Sequence, residues 1–473
     1  MTHAVSLNWI ELHKGQGKAL YRQIADQVRD AILTGQLASD TRLPPSRVLA
    51  EDLQVSRITV TQAYDQLASE GIVICARGSG TRVMAGSTGA APTLQRCQAP
   101  TPTYINALYG DESNNVAFQP GIPALDAFPH MEWARRLSRA ALRQDDALLD
   151  YGHAGGYGPL REQVCNYLCQ SRGLTCEPDQ IIVVTSVRAA IALAASVLVP
   201  AQAQVAVEDP GYQVAARVLA RRHVVRPVPV DGHGIDVQAL AKTDAVLAYL
   251  TPAHHWPTGV ALSPTRRAAL VDWAATRSAW LLEDDYDSEF RFEAQPLRPL
   301  YARAPERVIY MGTFSKTFAP SVRVAYLVVP PARVQDFEKA VFERAIEPAL
   351  HVQAALADMM RGGRFALHIH QMRKLYGARR ARLVAAMKDI FDDRLTCHAP
   401  PGGLQIIAHL PPHIRASDVS VAAARADLVA RDLSGNFAVA PPINGLHLGF
   451  AAIPEHQIEP AVRRLRDAIA HLF

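Results

Sequence analysis

The chain has 473 residues, 49% of them apolar and 20% charged, with 49 Lys and Arg against 45 Asp and Glu. This balance excludes a disordered, collagen-like or coiled-coil chain, and the length suggests roughly three units unless one large α/β enzyme fold takes most of it. A formal charge of +4 excludes strong global attraction to nucleic acid, so any such recognition has to be local.

The 6 cysteines are too sparse for a disulfide scaffold and lack CxxC spacing. The longest strongly apolar stretch, Ala189 to Val199, is shorter than the roughly 18 residues of a membrane span. The N-terminus carries no basic-then-apolar signal. These features predict a reduced, cytoplasmic protein with no membrane partner.

In chain order, Leu20, Tyr21, Ile24, Val28 and Ile32 recur at helical spacing and predict an amphipathic helix ended by Gly35. Ser46 is read as the N-cap of a short helix through Leu53, and Ser56 as the N-cap of the next. Val60, Ala63, Tyr64 and Leu67 supply that helix's buried face, and Gly71 closes it. Ile72–Ile74 and Thr81–Val83 read as two strands joined through Arg77-Gly78-Ser79-Gly80, where glycines permit positive φ. A helix, a turn and a second helix can lay the second helix in a major groove. The candidate reader opens at Ser56-Arg57-Ile58-Thr59, whose free N–H groups suit phosphate. Arg57 and Thr59 suit base edges or phosphates, and Arg47 suits backbone. The same elements also make a generic packing module, and charge does not decide, since residues 1–84 hold 9 basic and 8 acidic side chains.

From Ala85 to Thr103, 14 of 19 residues are Ala, Gly, Ser, Thr or Pro. Such a stretch buries too little apolar surface to offset its ordering entropy. It predicts a linker over 85–115 with a reach of about 30 Å. Beyond it, strands are predicted at Ile181–Val184, Gln204–Val207, Ala245–Leu250, Trp280–Glu283, Val308–Gly312 and Ala325–Val329, with helices between most of them. Apolar strands separated by helices argue for a mostly parallel sheet covered on both faces. From about Gln353 onward the pattern predicts helices plus a small sheet.

The whole stretch LYRQIADQVRDAILTGQL…RLPPSRVLAEDLQVSRITVTQAYDQLASEGIV…RGSGTRV resembles the GntR-type winged helix-turn-helix. The resemblance implies that Arg47, Arg57, Thr59, Arg77 and Gly78 touch double-stranded operator DNA.

Gly312-Thr313-Phe314-Ser315-Lys316 follows a predicted strand, where α/β folds place ligands. A neutral lysine amine there can condense with an aldehyde cofactor. Ser315 and Arg323 suit its phosphate. The strand WLLEDDY ends in carboxylates and a phenol: a buried carboxylate keeps a pyridine nitrogen protonated, and Tyr286 can donate to a ring oxygen. EDPGY ends another strand and offers Tyr212 for stacking.

Together with FQPGIP, YGHAGGYGPLR, HHWPTG and EDDYDSEFRF, these motifs resemble the fold-type I aminotransferases over about Val116 to Phe473. A GntR-type reader joined by a linker to such a domain resembles the MocR subfamily of bacterial transcriptional regulators. The fold expected is therefore multidomain: a winged helix-turn-helix at 14–84, a linker at 85–115, and an α/β aminotransferase-like domain at 116–473 with a small C-terminal α+β subdomain. The resemblance implies pyridoxal 5′-phosphate on Lys316, Asp284 at the pyridine nitrogen with Asp285 as the other candidate, Tyr286 at the 3-oxygen and Tyr212 on the ring face. It also implies Ser315, Arg323 and Ser186 at the phosphate, and Tyr151 reaching the cofactor of a second copy in a homodimer.

Two departures stand out. The phosphate loop reads Thr185-Ser186-Val187-Arg188, where Val187 replaces a small residue and Arg188 either adds a contact or faces solvent. Near the C-terminus, Gly445-Leu446-His447-Leu448 has a histidine where these aminotransferases carry a carboxylate-clamping arginine, and imidazole cannot make that two-donor fork. The function expected is a regulator sensing an amine or the cofactor itself, with at most weak transamination. An active aminotransferase with an appended reader is the alternative. Neither the sequence around His254 and His255 nor the pair His368 and His370 reads as a metal site, and Cys165 and Cys169 read as core.

Overall fold

The structure is a computed structural model and describes residues 5–13, 18–76, 80–84, 117–292 and 297–473. Two compact units divide the chain, Met1–Glu112 and Ser113–Phe473. The linker expected at 85–115 and the wing residues Arg77 and Gly78 lie outside the described residues.

In the first unit, α1 (Leu20–Leu33) buries Ile24, Ala25, Val28, Ala31 and Ile32 as one stripe. Gly35 follows at φ +78°, a left-handed turn that glycine makes without strain. α2 (Ser46–Asp52) corrects one expectation: Pro45 holds the N-cap position and Ser46 is the first helical residue. The Ser46 hydroxyl instead accepts from Arg57 Nε at 3.4 Å. α3 (Arg57–Ser69) is capped as expected, Ser56 Oγ accepting from the Thr59 N–H at 3.1 Å. β1 (Val73–Ala76) and β2 (Gly80–Val83) pair antiparallel, with Val73 opposite Val83. Leu7 and Ile10, which precede the span read from sequence, are buried with Ile24, Leu49 and Leu67.

The second unit begins with α4 (His130–Leu142) and α5 (Gly158–Arg172). Eight strands then form one sheet: β3 (Ile181–Val184), β4 (Gln204–Asp209), β5 (Val224–Asp231), β6 (Gly234–Ile235), β7 (Ala245–Leu250), β8 (Trp280–Asp285), β9 (Val308–Thr313) and β10 (Ala325–Val328). Their order is β3-β10-β9-β8-β7-β4-β5-β6. The run from β9 to β5 is parallel, and β10 lies antiparallel to both β3 and β9. Helices α6 (Val187–Leu198), α7 (Gln213–Leu219), α8 (Val237–Ala241), α9 (Pro264–Arg277) and α10 (Phe314–Thr317) fall between the strands.

The pleat sorts the strand side chains into two cores. Ile181, Val183, Ala248, Leu250, Leu281 and Tyr310 fill one face. Ile182, Val184, Leu247, Tyr249, Leu282 and Met311 fill the other. Burial on both faces explains why these strands read as unbroken apolar runs.

After α11 (Val334–Arg344), α12 (Leu350–Arg361) and α13 (Arg364–Phe391) comes the small sheet foreseen near the C-terminus. It holds β11 (Thr396–His398), β12 (Gln405–His409), β13 (Arg431–Asp432) and β14 (Gly445–Gly449) in the antiparallel order β11-β12-β14-β13. α14 (Ala416–Arg425) and α15 (Glu455–Ile469) complete the unit. Cys169, expected in the core with Cys165, is exposed. Among the described residues, no helix is long and apolar enough to cross a membrane.

Candidate functional site

Pleat parity decides what each acid of β8 does. Glu283 accepts from the backbone N–H groups of Leu300 and Tyr301 at 2.9 and 3.0 Å. Asp285, on the same face, accepts from Tyr310 Oη at 2.6 Å, from Arg172 Nε at 3.1 Å and from the Ser288 hydroxyl. Asp284 points the other way, where Tyr249 Oη donates to its Oδ2 at 2.6 Å. Its Oδ1 is buried and has no partner. Burial pushes the Asp284 carboxyl up to about 7, with Lys316 pulling it back. Of the two adjacent candidates, Asp285 is saturated and Asp284 keeps a spare acceptor.

Lys316 sits in α10, straight after β9, on a turn that Thr313 caps by accepting the Ser315 N–H at 3.1 Å. Its Nζ donates to the carbonyl of Gly121. Gly121 has φ +74°, and a Cβ there would lie 3.0 Å from that Nζ, so the FQPGIP segment needs glycine to leave room for the amine. Burial lowers the Lys316 pKa, opposed by Asp287 and Asp284, which favours the neutral amine a nucleophile needs.

Around this amine, Tyr286 Oη lies 3.1 Å from His254 Nδ1, and that nitrogen lies 2.8 Å from Asp287 Oδ2. His254 Nε2 is buried without a partner. His255 serves instead as a brace. Its Nδ1 meets Thr258 Oγ1 at 2.7 Å and its Nε2 meets the Pro210 carbonyl at 3.0 Å, tying together the loops after β4 and β7. Burial lowers its pKa to about 3, so it stays neutral. Tyr212 is half-buried at the N-cap of α7, directly after β4.

Strand register gathers the phosphate candidates. Ala325 at the start of β10 is paired with Val184 at the end of β3 and with Thr313 at the end of β9. Ser186, Ser315 and Arg323 therefore follow or precede three adjacent strand ends. Ser186 caps α6 by accepting the Ala189 N–H at 3.2 Å, and Arg323 is exposed at φ +55°. Tyr151 is 96% exposed.

His447 is fully buried, and its Nε2 donates to the Pro257 carbonyl at 2.9 Å. Burial pushes its pKa down to about 4. It is a packed neutral imidazole. The sequence reading missed Arg431, which stands opposite His447 across β13 and β14. Directly opposed residues share a face. The Arg431 charge lowers the pKa of both Lys316 and His447, so the guanidinium lies near the amine. Burial alone accounts for the lowered Arg431 pKa. Close by in sequence, the N–H groups of Ala438, Val439 and Ala440 each donate to the Asp209 carboxylate at 2.8 Å.

In the first unit, Arg57 is exposed at the start of α3, beside Ile58, which is 70% exposed. The Arg47 side chain is 81% exposed and lies 3.3 Å from Glu51. Thr59 is half-buried, its hydroxyl 2.8 Å from Ser56 Oγ.

Residues 119–465 match the family "Aminotransferase class I and II", and residues 20–83 match "Bacterial regulatory proteins, gntR family". The chain is 35% identical to the probable rhizopine catabolism regulatory protein MocR of Rhizobium meliloti, over 96% of this chain and 94% of that one. It is 31% identical to the HTH-type pyridoxine biosynthesis transcriptional regulator PdxR of Corynebacterium glutamicum, over 98% of each. Among solved structures it is similar to LysN, the α-aminoadipate aminotransferase of Thermus thermophilus. That likeness has 25% identity and a TM-score of 0.69, covering 76% of this chain and 92% of that one.

Proposed function

The chain belongs to the MocR-type branch of the GntR transcriptional regulators, with an aminotransferase-like domain, and on that premise we propose that this domain binds pyridoxal phosphate through Lys316. The same domain reports an amine, or the cofactor itself, to a reader at 14–84 joined by a linker at 85–115. The protein acts in the cytoplasm as a homodimer on operator DNA.

The observation that carries the reading is a half-buried lysine amine, Lys316 Nζ, whose charge interacts with Asp284, a buried carboxylate with one oxygen, Oδ1, that has no partner. When bound, pyridoxal phosphate supplies a carbonyl for amines and an electron sink. Asp284 would accept from the ring nitrogen and hold its proton there. Tyr286 would donate to the 3-oxygen, and Tyr212 would cover a ring face. Ser186, Ser315 and Arg323 would hold the phosphate beside the N-terminus of α6, whose dipole favours an anion. Tyr151 would reach the site of the second copy. Lys316 anchors the cofactor and carries a proton to or from an incoming amine. Arg47, Arg57 and Thr59, with Arg77 and Gly78, would contact the operator.

A second reading, an active aminotransferase, gains support from Arg431, a cation near Lys316 that can meet a substrate carboxylate where His447 cannot. Borohydride reduction and peptide mapping test the first point: the pyridoxyl group is expected on Lys316, and its appearance on another lysine would overturn the assignment. Lys316→Ala should abolish the adduct and leave the fold intact. A panel of amines, followed by cofactor absorbance and operator affinity in parallel, tests sensing. Sustained turnover with 2-oxoglutarate or pyruvate at about 1 s⁻¹ or faster would favour the enzyme.

A further inference from the structure

Three thiols meet where α5 ends. Cys165 and Cys169 lie one turn apart on the helix. Gly173, at φ +63°, caps the helix and turns the chain so that Cys176 returns beside them. All three Sγ atoms lie within 4.8 Å of one another. The Cys165 and Cys176 sulfurs are 3.7 Å apart, and Cys165 Sγ is also held by donating to the Cys176 carbonyl at 3.0 Å. Thiolates bound tetrahedrally at about 2.3 Å from one metal sit about 3.8 Å from each other, so this pair already has the spacing of one edge of such a site. Cys165 and Cys176 are buried and Cys169 is exposed. Two legs are thus fixed by the core, and the third faces solvent, where a cation enters and a water can complete its coordination.

We propose that Cys165, Cys169 and Cys176 form a binding site for one thiophilic cation of the Zn²⁺ or Cu⁺ class. The site shares no residue with the proposed cofactor pocket, and neither reading depends on the other. Thiolate sulfur selects these ions over hard ones. Loading replaces three S–H bonds by three metal–sulfur bonds, releases the three protons to solvent and moves no electrons. The competing chemistry, a Cys165–Cys176 disulfide, needs an oxidant and a thiolate to attack it. A bound cation deprotonates its thiols directly.

The test uses the full chain with its cofactor, reduced and stripped of metal by a chelator, then titrated with Co²⁺ and back-titrated with Zn²⁺. The expected result is one equivalent per chain, with a sulfur-to-cobalt charge-transfer band that Zn²⁺ abolishes. Cys169→Ser, a surface change, should remove the band. It should also weaken Zn²⁺ binding beyond the roughly 10–100-fold that loss of an outer-shell partner costs. Its melting temperature without metal should match the wild type, which separates ligand loss from misfolding. Cys75→Ser, which removes another exposed thiol, should change nothing. Absence of the band in the wild type, its survival in Cys169→Ser, or its loss in Cys75→Ser alone would overturn the proposal.

Discussion

Asp284 and Asp285 are neighbours in sequence and opposites in surroundings, and a test of the site starts from that difference. Asp285 is fully engaged by Tyr310, Arg172 and Ser288. Asp284 carries its proton up to about 7 because burial disfavours its charge. In the unfolded chain it would ionise near its ordinary value of 3.8. Between those values the native state holds a proton the unfolded state has lost, so its contribution to stability falls as pH rises. The slope is at most about 1.4 kcal/mol per pH unit. Denaturant midpoints of cofactor-free protein from pH 4 to 7 should therefore fall more steeply for the wild type than for Asp284→Asn. Coincident profiles would mean that another acid titrates. The order of acids and phenol in EDDY was legible in the sequence. Which acid has the spare oxygen was not, because parity takes meaning only from the partners on each face. Arg431 was hidden for a related reason: it lies in a two-residue strand, too short to show a period, and its relation to Lys316 is made by distant elements.

Elements with a strong period were read correctly and those without one were not. α1 and α3 present clear apolar stripes and end at Gly35 and Gly71, both with positive φ. β5 went unread because Pro227 and Pro229 interrupt it and only Val228 is fully buried, although Val224–Pro229 pair in parallel with β4. Pro45 took the cap position from Ser46, since its φ of −54° already fits the start of a helix. At this scale the reader helix makes a direct prediction. Arg57→Ala should cost about 1–3 kcal/mol on the operator if its guanidinium meets a guanine edge. Arg47→Ala should weaken all DNA sequences alike and lower the salt slope by about one unit. Gel shifts at several salt concentrations distinguish the two, and unchanged binding by Arg57→Ala would mean that α3 is not the reading element.

For the whole molecule, the exposed Tyr151 and the half-buried Arg431 lead to separate expectations. If a second copy completes the pocket, Tyr151→Ala should loosen the cofactor without lowering the melting temperature of the cofactor-free chain. Sedimentation would show a dimer in both proteins; a wild-type monomer that retains cofactor fully would rule out the shared site. Arg431→Ala should weaken amines that carry a carboxylate by roughly 10-fold or more, the value of a lost charge-assisted hydrogen bond, and leave simple amines nearly unchanged. Titrations followed by cofactor absorbance decide it, and equal losses for both amine classes would remove Arg431 from the binding role. A mechanical consequence follows from Asp209, whose carboxylate gathers three successive amides from residues 438–440. That loop is pinned to the end of β4, and it stands between β13, which carries Arg431, and β14, which carries His447. The same stretch is held again at Asn436, whose carbonyl accepts from the Gly211 N–H at 2.9 Å and whose Oδ1 accepts from Trp256 Nε1 at 2.9 Å. The segment that joins Arg431 to His447 is thus stitched at several places to the loops that follow β4 and β7, and the two residues keep their place relative to the strand ends that carry the site.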